Sequence, residues 1–354
     1  MNQIAQLKPM SGEGGVVTTL LAPLAQFLKD KSLFEIVINN PGEVLTEGMA
    51  GWQTHAVQDL TFDRLMSLAR TIASYSNQSI DDKNPILSAT LPGNERIQVV
   101  IPPATPSGTV SITIRKPSSA NFSLDELEKK ELFSITENIG NCYLRAPGNL
   151  ALLSATDRSL FTQLKSGKHI EFLRQAVKSR QNILISGATG SGKTTLSKAL
   201  IAEIPRDERI LTIEDTPELV IPHENCVRLY YSKGGQGTAR VGAKDLLESG
   251  LRMRPDRILL QELRDGTAFY YVRNVNSGHP GSITTVHASS AMLAIEQMTL
   301  LVKESEGGQD LARDDIRALL FTLVDVIIQC KRVEGKFRVT EIYFDPFKKL
   351  LDGE

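Results

Sequence analysis

The chain has 354 residues, 41% hydrophobic and 23% charged, with 40 Lys plus Arg against 41 Asp plus Glu. That length suits about two domains, and the composition is that of a globular protein rather than a disordered or fibrous one. A net charge of −1 supplies no overall field for nucleic acid or an anionic membrane surface.

The N-terminal part lacks the apolar core and small-residue cleavage site of a secretory signal. "LLAPLAQFLKD" sets Leu20, Leu24, Phe27 and Leu28 at helical spacing. "FEIVIN", "NPGE" and "VLTEG" follow as strand, turn and strand. "TFDRLMSLARTIASYS" is an amphipathic helix with Leu65, Leu68, Ile72 and Tyr75 on one face. "RIQVVIPP" and "TVSITIRK" alternate as strands, and Ser123 with Glu126 forms a capping box that opens a helix. These elements predict a smaller α+β N-terminal domain over 1–135. Mixed residues rich in Gly, Pro and Asn over 136–160 then read as an interdomain linker.

From 161 to 354 helices and strands alternate: helix "KHIEFLRQAVKSR", strand "NILISG", strand "RILTIED", helix "KDLLESGLRM", strand "DRILLQE", helix "GTAFYYVRNVNSG", strand "SITTVH". That order predicts an α/β domain with a mainly parallel sheet covered on both faces. The most apolar stretches, "VVTTLLAPLAQFL" and "ALLFTLVDVIIQC", are too short to span a bilayer, and Asp325 interrupts the second. Cys142, Cys226 and Cys330 are far apart and odd in number, so a zinc knuckle and a disulfide scaffold are not expected. The chain is expected to be cytoplasmic, with thiols in a reducing compartment.

Between strand and helix stands Gly187, Ala188, Thr189, Gly190, Ser191, Gly192, Lys193, Thr194, Thr195. Its first eight residues fit G-x-x-x-x-G-K-[ST]. Glycines let the backbone curl into a nest of inward N–H groups, and the following helix adds its own unpaired N–H groups and positive dipole end. The result is a cradle for the phosphates of ATP, with Lys193 reaching the β- and γ-phosphates and Thr194 holding Mg²⁺. Two later strands end in acids, Glu214–Asp215 and Glu262, on the edge where a parallel sheet presents its phosphate loop. Glu262 is a candidate Mg²⁺ ligand through water and a candidate base. His287 ends a further strand near the expected γ-phosphate, whereas His279 lies in a Gly-Pro-Gly turn and reads as structural.

In that order and spacing, the phosphate loop, "RILTIEDTPEL", "LRMRPDRILLQELR" and "SGHPGSITTVHA" resemble the Walker A, Asp, Walker B and His boxes of the secretion ATPases of type II, type IV pilus and type IV secretion systems. The resemblance implies a RecA-like P-loop domain in a hexameric ring, with nucleotide between the N- and C-terminal domains. It implies Glu214 near the γ-phosphate, Glu262 as Walker B acid and His287 facing the γ-phosphate. It also implies that Arg96 and Arg115, in segments similar to the family's N-terminal domain, reach the nucleotide. The family usually has Gly before the Walker B glutamate, where this chain has Gln261. No CxxC of a type II zinc module is present, and the chain looks most like the traffic ATPase of Vir-type type IV secretion. The expected partners are its own copies, assembled as a hexamer, and inner-membrane secretion components, with nucleic acid only as cargo. The expected location is the cytoplasmic face of the inner membrane. The competing readings are a tight-adherence pilus ATPase, a RecA-like DNA helicase using "RQAVKSR" and the Arg252/Arg254 pair as a basic patch, and a nucleotide-binding scaffold that barely hydrolyses.

Overall fold

A computed structural model describes residues 13–48, 51–116, 121–140, 147–231, 241–264, 266–276 and 278–351. Contacts divide the chain into two units, one reaching residue 119 and the other running from 120 to the end without 232–242.

In the first unit, α1 (Glu13–Leu20) and α2 (Ala25–Lys29) precede strands β1 (Leu33–Ile38), β2 (Glu43–Gly48) and β3 (Gly51–Ala56). Helix α3 (Phe62–Tyr75) and strands β4 (Ile86–Thr90), β5 (Arg96–Val100) and β6 (Ser111–Arg115) complete it. The single helix expected over "LLAPLAQFLKD" is broken by a 3₁₀ turn at Ala22–Leu24, because Pro23 brings no N–H to a helical bond. The six strands form one antiparallel sheet in the order β3-β2-β1-β6-β5-β4. Thr61 caps α3 by accepting the Arg64 N–H at 3.3 Å. Leu65, Leu68 and Ile72 of α3 then join Ile36, Ile38, Ile97, Val99, Ile112 and Ile114 in one core. Strand alternation turns Arg96 and Arg115 to the opposite face of the sheet. The register sets Arg96 directly across from Arg115, and Glu35 on the other side of Arg115.

The second unit opens with α4 (Leu124–Lys129), begun by the Ser123–Glu126 capping box, in which both reciprocal hydrogen bonds are present. Then come β7 (Glu137–Asn138), α5 (Ala155–Lys165), α6 (His169–Lys178), β8 (Ile183–Gly187), α7 (Lys193–Ala202), β9 (Ile210–Glu214) and β10 (Cys226–Tyr230). After them follow α8 (Ala243–Gly250), β11 (Arg257–Leu260), α9 (Thr267–Asn276), β12 (Ile283–Val286), α10 (Ala291–Lys303), α11 (Arg313–Leu323), β13 (Val326–Val333), β14 (Lys336–Phe344) and α12 (Pro346–Leu351).

The described residues of the stretch expected to link the domains, 136–140 and 147–160, lie in this second unit, and so does α4, expected before the boundary at 135. The reason is packing: Glu137–Asn138 pair with β14, and Leu124, Leu127, Leu153 and Leu160 are buried in the unit's core. Its Gly, Pro and Asn residues signal turns, but the leucines between them decide where the segment goes.

Strand β9 pairs in parallel with β10 and β11, and β8 in parallel with β12 and β13. Strand β14 runs antiparallel to β13 and parallel to β7. Strand β8 is buried throughout. Ile183 and Ile185 pack in the core with Phe172 of α6 and Leu196 of α7, while Leu184 joins a second core with Tyr271 of α9 and Ile295 of α10. Both faces of this strand are therefore covered, as an apolar run without alternation requires.

Candidate active site

The phosphate loop leaves β8 at Gly187, where a Cβ would lie 2.4 Å from both the Cys330 carbonyl oxygen and Ser191 Oγ. No other residue fits there. Gly190 and Gly192 hold φ of 71° and 94°, the left-handed region that glycine adopts without strain. Gly192 serves as N-cap of α7, so the helix's first N–H groups open into the loop. Ser191 Oγ is buried inside it with no hydrogen-bond partner. This concave, donor-rich turn fits the phosphates of ATP. Thr194 and Thr195 sit half-buried in the first turn of α7.

Lys193 is almost wholly buried. Its Nζ donates to the carbonyls of Gly187 at 2.6 Å and Ala188 at 3.0 Å, and lies 3.3 Å from His287 Nδ1. The other ring nitrogen of His287, Nε2, is 2.6 Å from Glu262 Oε1. These partners select the tautomer that carries its proton on Nε2 and accepts from lysine at Nδ1. Glu262 Oε2 accepts from Arg264, whose Nη1 is 3.2 Å from Asp215 Oδ2. The structure thus joins Lys193, His287, Glu262 and Asp215 through one imidazole and one guanidinium. His287 is the open member, 46% exposed against 14% for Glu262.

Burial works to raise the Glu262 carboxyl. Hydrogen bonds from His287 and Arg264, with the Arg264 charge, outweigh it and bring the group down to about 2. Below the loop, burial pushes the Cys330 thiol up to about 12, which leaves it inert.

Glu214 is placed differently from its neighbour Asp215. It is fully buried. Its Oε1 accepts from Thr212 Oγ1 at 2.9 Å and Arg228 Nη2 at 3.0 Å; its Oε2 accepts from the N–H groups of Glu218 and Leu219, both at 2.9 Å. Its lone pairs are committed to shaping the loop after β9. Gln261, which stands where a glycine was expected, donates to Glu218 Oε2 at 2.6 Å on that same loop. Sequence reasoning missed Arg264 and Arg228, since nothing in an arginine on or just after a strand states which acid it will meet. His279 precedes β12, at the end opposite His287. Arg96 and Arg115 adjoin one another within the first unit.

Among the described residues, no group of three or more His, Cys, Asp or Glu side chains is arranged to hold a metal.

Comparison with known proteins gives a consistent result. Residues 159–339 match the family described as Type II/IV secretion system protein. The type IV secretion system protein VirB11 of Bartonella quintana (strain Toulouse) is 65% identical over 99% of this chain and 98% of its own length. That of Brucella suis biovar 1 (strain 1330) is 40% identical, over 93% of this chain and 90% of its own. The crystal structure of the VirB11 ATPase from the Brucella suis type IV secretion system, in complex with sulphate, aligns with TM-score 0.54 at 38% identity, covering 96% of this chain and 98% of that one.

Proposed function

The chain belongs to the type II/IV secretion system protein family and is an ATPase, and on that premise we propose that it hydrolyses ATP with Mg²⁺ in a RecA-like domain to power type IV secretion. The single observation that carries the chemistry is His287, set between Lys193 and Glu262 at the rim of the phosphate loop.

ATP phosphates compete with the Gly187 and Ala188 carbonyls for Lys193, a charged acceptor being stronger than a neutral one. As Lys193 turns to phosphate it releases His287 Nδ1, and the imidazole keeps its hold on Glu262. A carboxylate held near 2 is a poor proton acceptor at neutral pH. Glu262 therefore orients the attacking water by accepting its hydrogen bond rather than by deprotonating it first. That suffices for phosphoryl transfer, whose loose transition state needs positioning and charge stabilisation more than a strong base. Water oxygen bonds to the γ-phosphorus, the bond to the β–γ bridging oxygen breaks, and the protons leave with the phosphate products. Thr194, with Glu262 through water, would hold Mg²⁺, which when bound neutralises charge on the β- and γ-oxygens. Glu214 positions the loop that carries Asp215, while Glu262 faces the water.

Arg96 and Arg115 grip the γ-phosphate from the first unit in this reading. Like charges directly across a strand pair are destabilising by some tenths to about 1 kcal/mol. Glu35 on the far side of Arg115 offsets part of that cost, and an anion shared between the two guanidiniums would offset more. Loss of γ-phosphate then frees the first unit to move, in a hexameric ring bound to inner-membrane secretion components on the cytoplasmic face. No helix among the described residues is long and apolar enough to cross a membrane.

Steady-state ATPase of Lys193→Ala tests the chemistry: turnover falls below detection if the cradle acts as proposed, and wild-type turnover contradicts it. Mixing Arg115→Ala with Lys193→Ala subunits tests the ring. Activity regained in the mixture shows the arginine acting on a neighbour's nucleotide.

A further inference from the structure

We infer that Phe337, on the hairpin of β13 and β14, is the platform on which the base of the bound nucleotide stacks; the inference rests on the ATPase reading and extends it from the phosphates to the base. The hairpin closes tightly through Glu334 and Gly335, both at positive φ, with Val333 facing Lys336. Two points of the hairpin touch the phosphate loop. The Cys330 carbonyl blocks any side chain at Gly187, and at Gly192 a Cβ would come within 3.3 Å of Phe337 Cγ and Cδ1.

The ring is delivered there by strand alternation. Lys336 and Arg338 point to the other side of β14, where both reach Glu131, Arg338 at 3.1 Å and Lys336 at 3.8 Å. Arg338 is further fixed by the Lys130 carbonyl at 3.2 Å. With its neighbours pinned on one side, Phe337 is held on the loop side.

Packing alone does not account for this phenyl ring. Phe337 is 45% exposed, whereas Val339, two residues on and on the same side, is fully buried in the core. A large apolar side chain thus stands half open directly beside the phosphate cradle, where a base could lie against it. Gly192 caps α7, where the β-phosphate sits. The base of the same nucleotide lies one α-phosphate and one ribose away, within reach of the ring beside that glycine. Arg332 faces Phe337 across the ladder on the same side, and its Nε donates to the Gly335 carbonyl at 3.2 Å. An aromatic face binds a base by stacking and needs no hydrogen-bonding edge.

The test compares ADP with pyrophosphate, which has the phosphates but no base, by calorimetry with Mg²⁺ on the full-length protein. Phe337→Ala is expected to raise the Kd for ADP about tenfold and leave that for pyrophosphate unchanged. Phe337→Tyr, which keeps the stacking face, is expected to bind ADP as the wild type does. Equal weakening of ADP and pyrophosphate in Phe337→Ala would mean that the ring only props the loop, and would overturn the inference. So would unchanged ADP binding in Phe337→Ala. A wild-type protein that binds pyrophosphate and ADP with equal affinity also overturns it, while leaving the phosphate cradle intact. A wild-type protein that binds neither ligand sinks the ATPase reading as well.

Discussion

The two ends of the strands in the second unit handle charge in opposite ways. At the amino ends, Arg257 is wholly buried and donates to Glu208 at 2.6 and 3.0 Å, to the Val177 carbonyl at 2.9 Å and to the Gly281 carbonyl at 3.2 Å. Asn182 beside it accepts the N–H groups of Gly281 and Ser282 and gives its own to Asp325 at 2.7 Å. Loops before β8, β9, β11, β12 and β13 are tied together by these groups. At the carboxyl ends, Lys193, His287, Glu262, Arg264 and Asp215 also form a connected set, but His287 and Arg264 within it are open to solvent, at 46% and 32% exposure. One end is a clamp, closed upon itself. The other is a charged chain waiting for an anion. A sheet that must hold still at one edge can afford exchange at the other.

Substitutions at the two ends should separate stability from turnover. The largest expected effect on the clamp is from Glu208→Ala, which leaves the Arg257 charge buried and unpaired, about 3–5 kcal/mol. Urea unfolding of the second unit reads that loss, while ATP turnover per folded molecule stays near wild type. If turnover falls in step with stability, the two edges are coupled and the contrast fails. At the open end, Arg264→Ala should cut turnover about 10²-fold with a much smaller loss of stability. The variant also shifts the pH profile. With the guanidinium gone, the Glu262 carboxyl rises from about 2 towards its ordinary range, so the acid limb of turnover moves to higher pH. The stability that Glu262 gains in the wild type is present above the ordinary carboxyl value and is lost as pH falls towards 2. A pH series of unfolding midpoints that shows the same wild-type advantage over Arg264→Ala at pH 3 and pH 7 contradicts this assignment. The smallest effect belongs to Ser123→Ala, which removes the cap of α4 for about 1 kcal/mol. It should lower the unfolding midpoint of the second unit, because α4 packs there.

The phosphate loop was legible because everything that makes it is local: a buried strand, glycines at the positions that need positive φ, and a helix directly after. The acids at 214, 215 and 262 and the histidine at 287 were legible as strand ends. Their division of labour was not. Glu214 is bound by Arg228 and two backbone N–H groups, Glu262 is bound by Arg264, and both contacts depend on which strands lie side by side. The same holds for the β13–β14 hairpin, whose apolar run "VDVIIQC" has no period that tells strand from buried helix. At 136–160 local turn residues outvoted Leu153 and Leu160, whose burial is set by helices elsewhere in the chain.

Phosphate release in a single turnover by Glu262→Gln tests the central claim most directly. The account predicts that the variant binds Mg²⁺ and ATP as tightly as the wild type and releases phosphate at least about 10²-fold more slowly. Release at the wild-type rate would show that the carboxylate between His287 and Arg264 does not serve the attacking water.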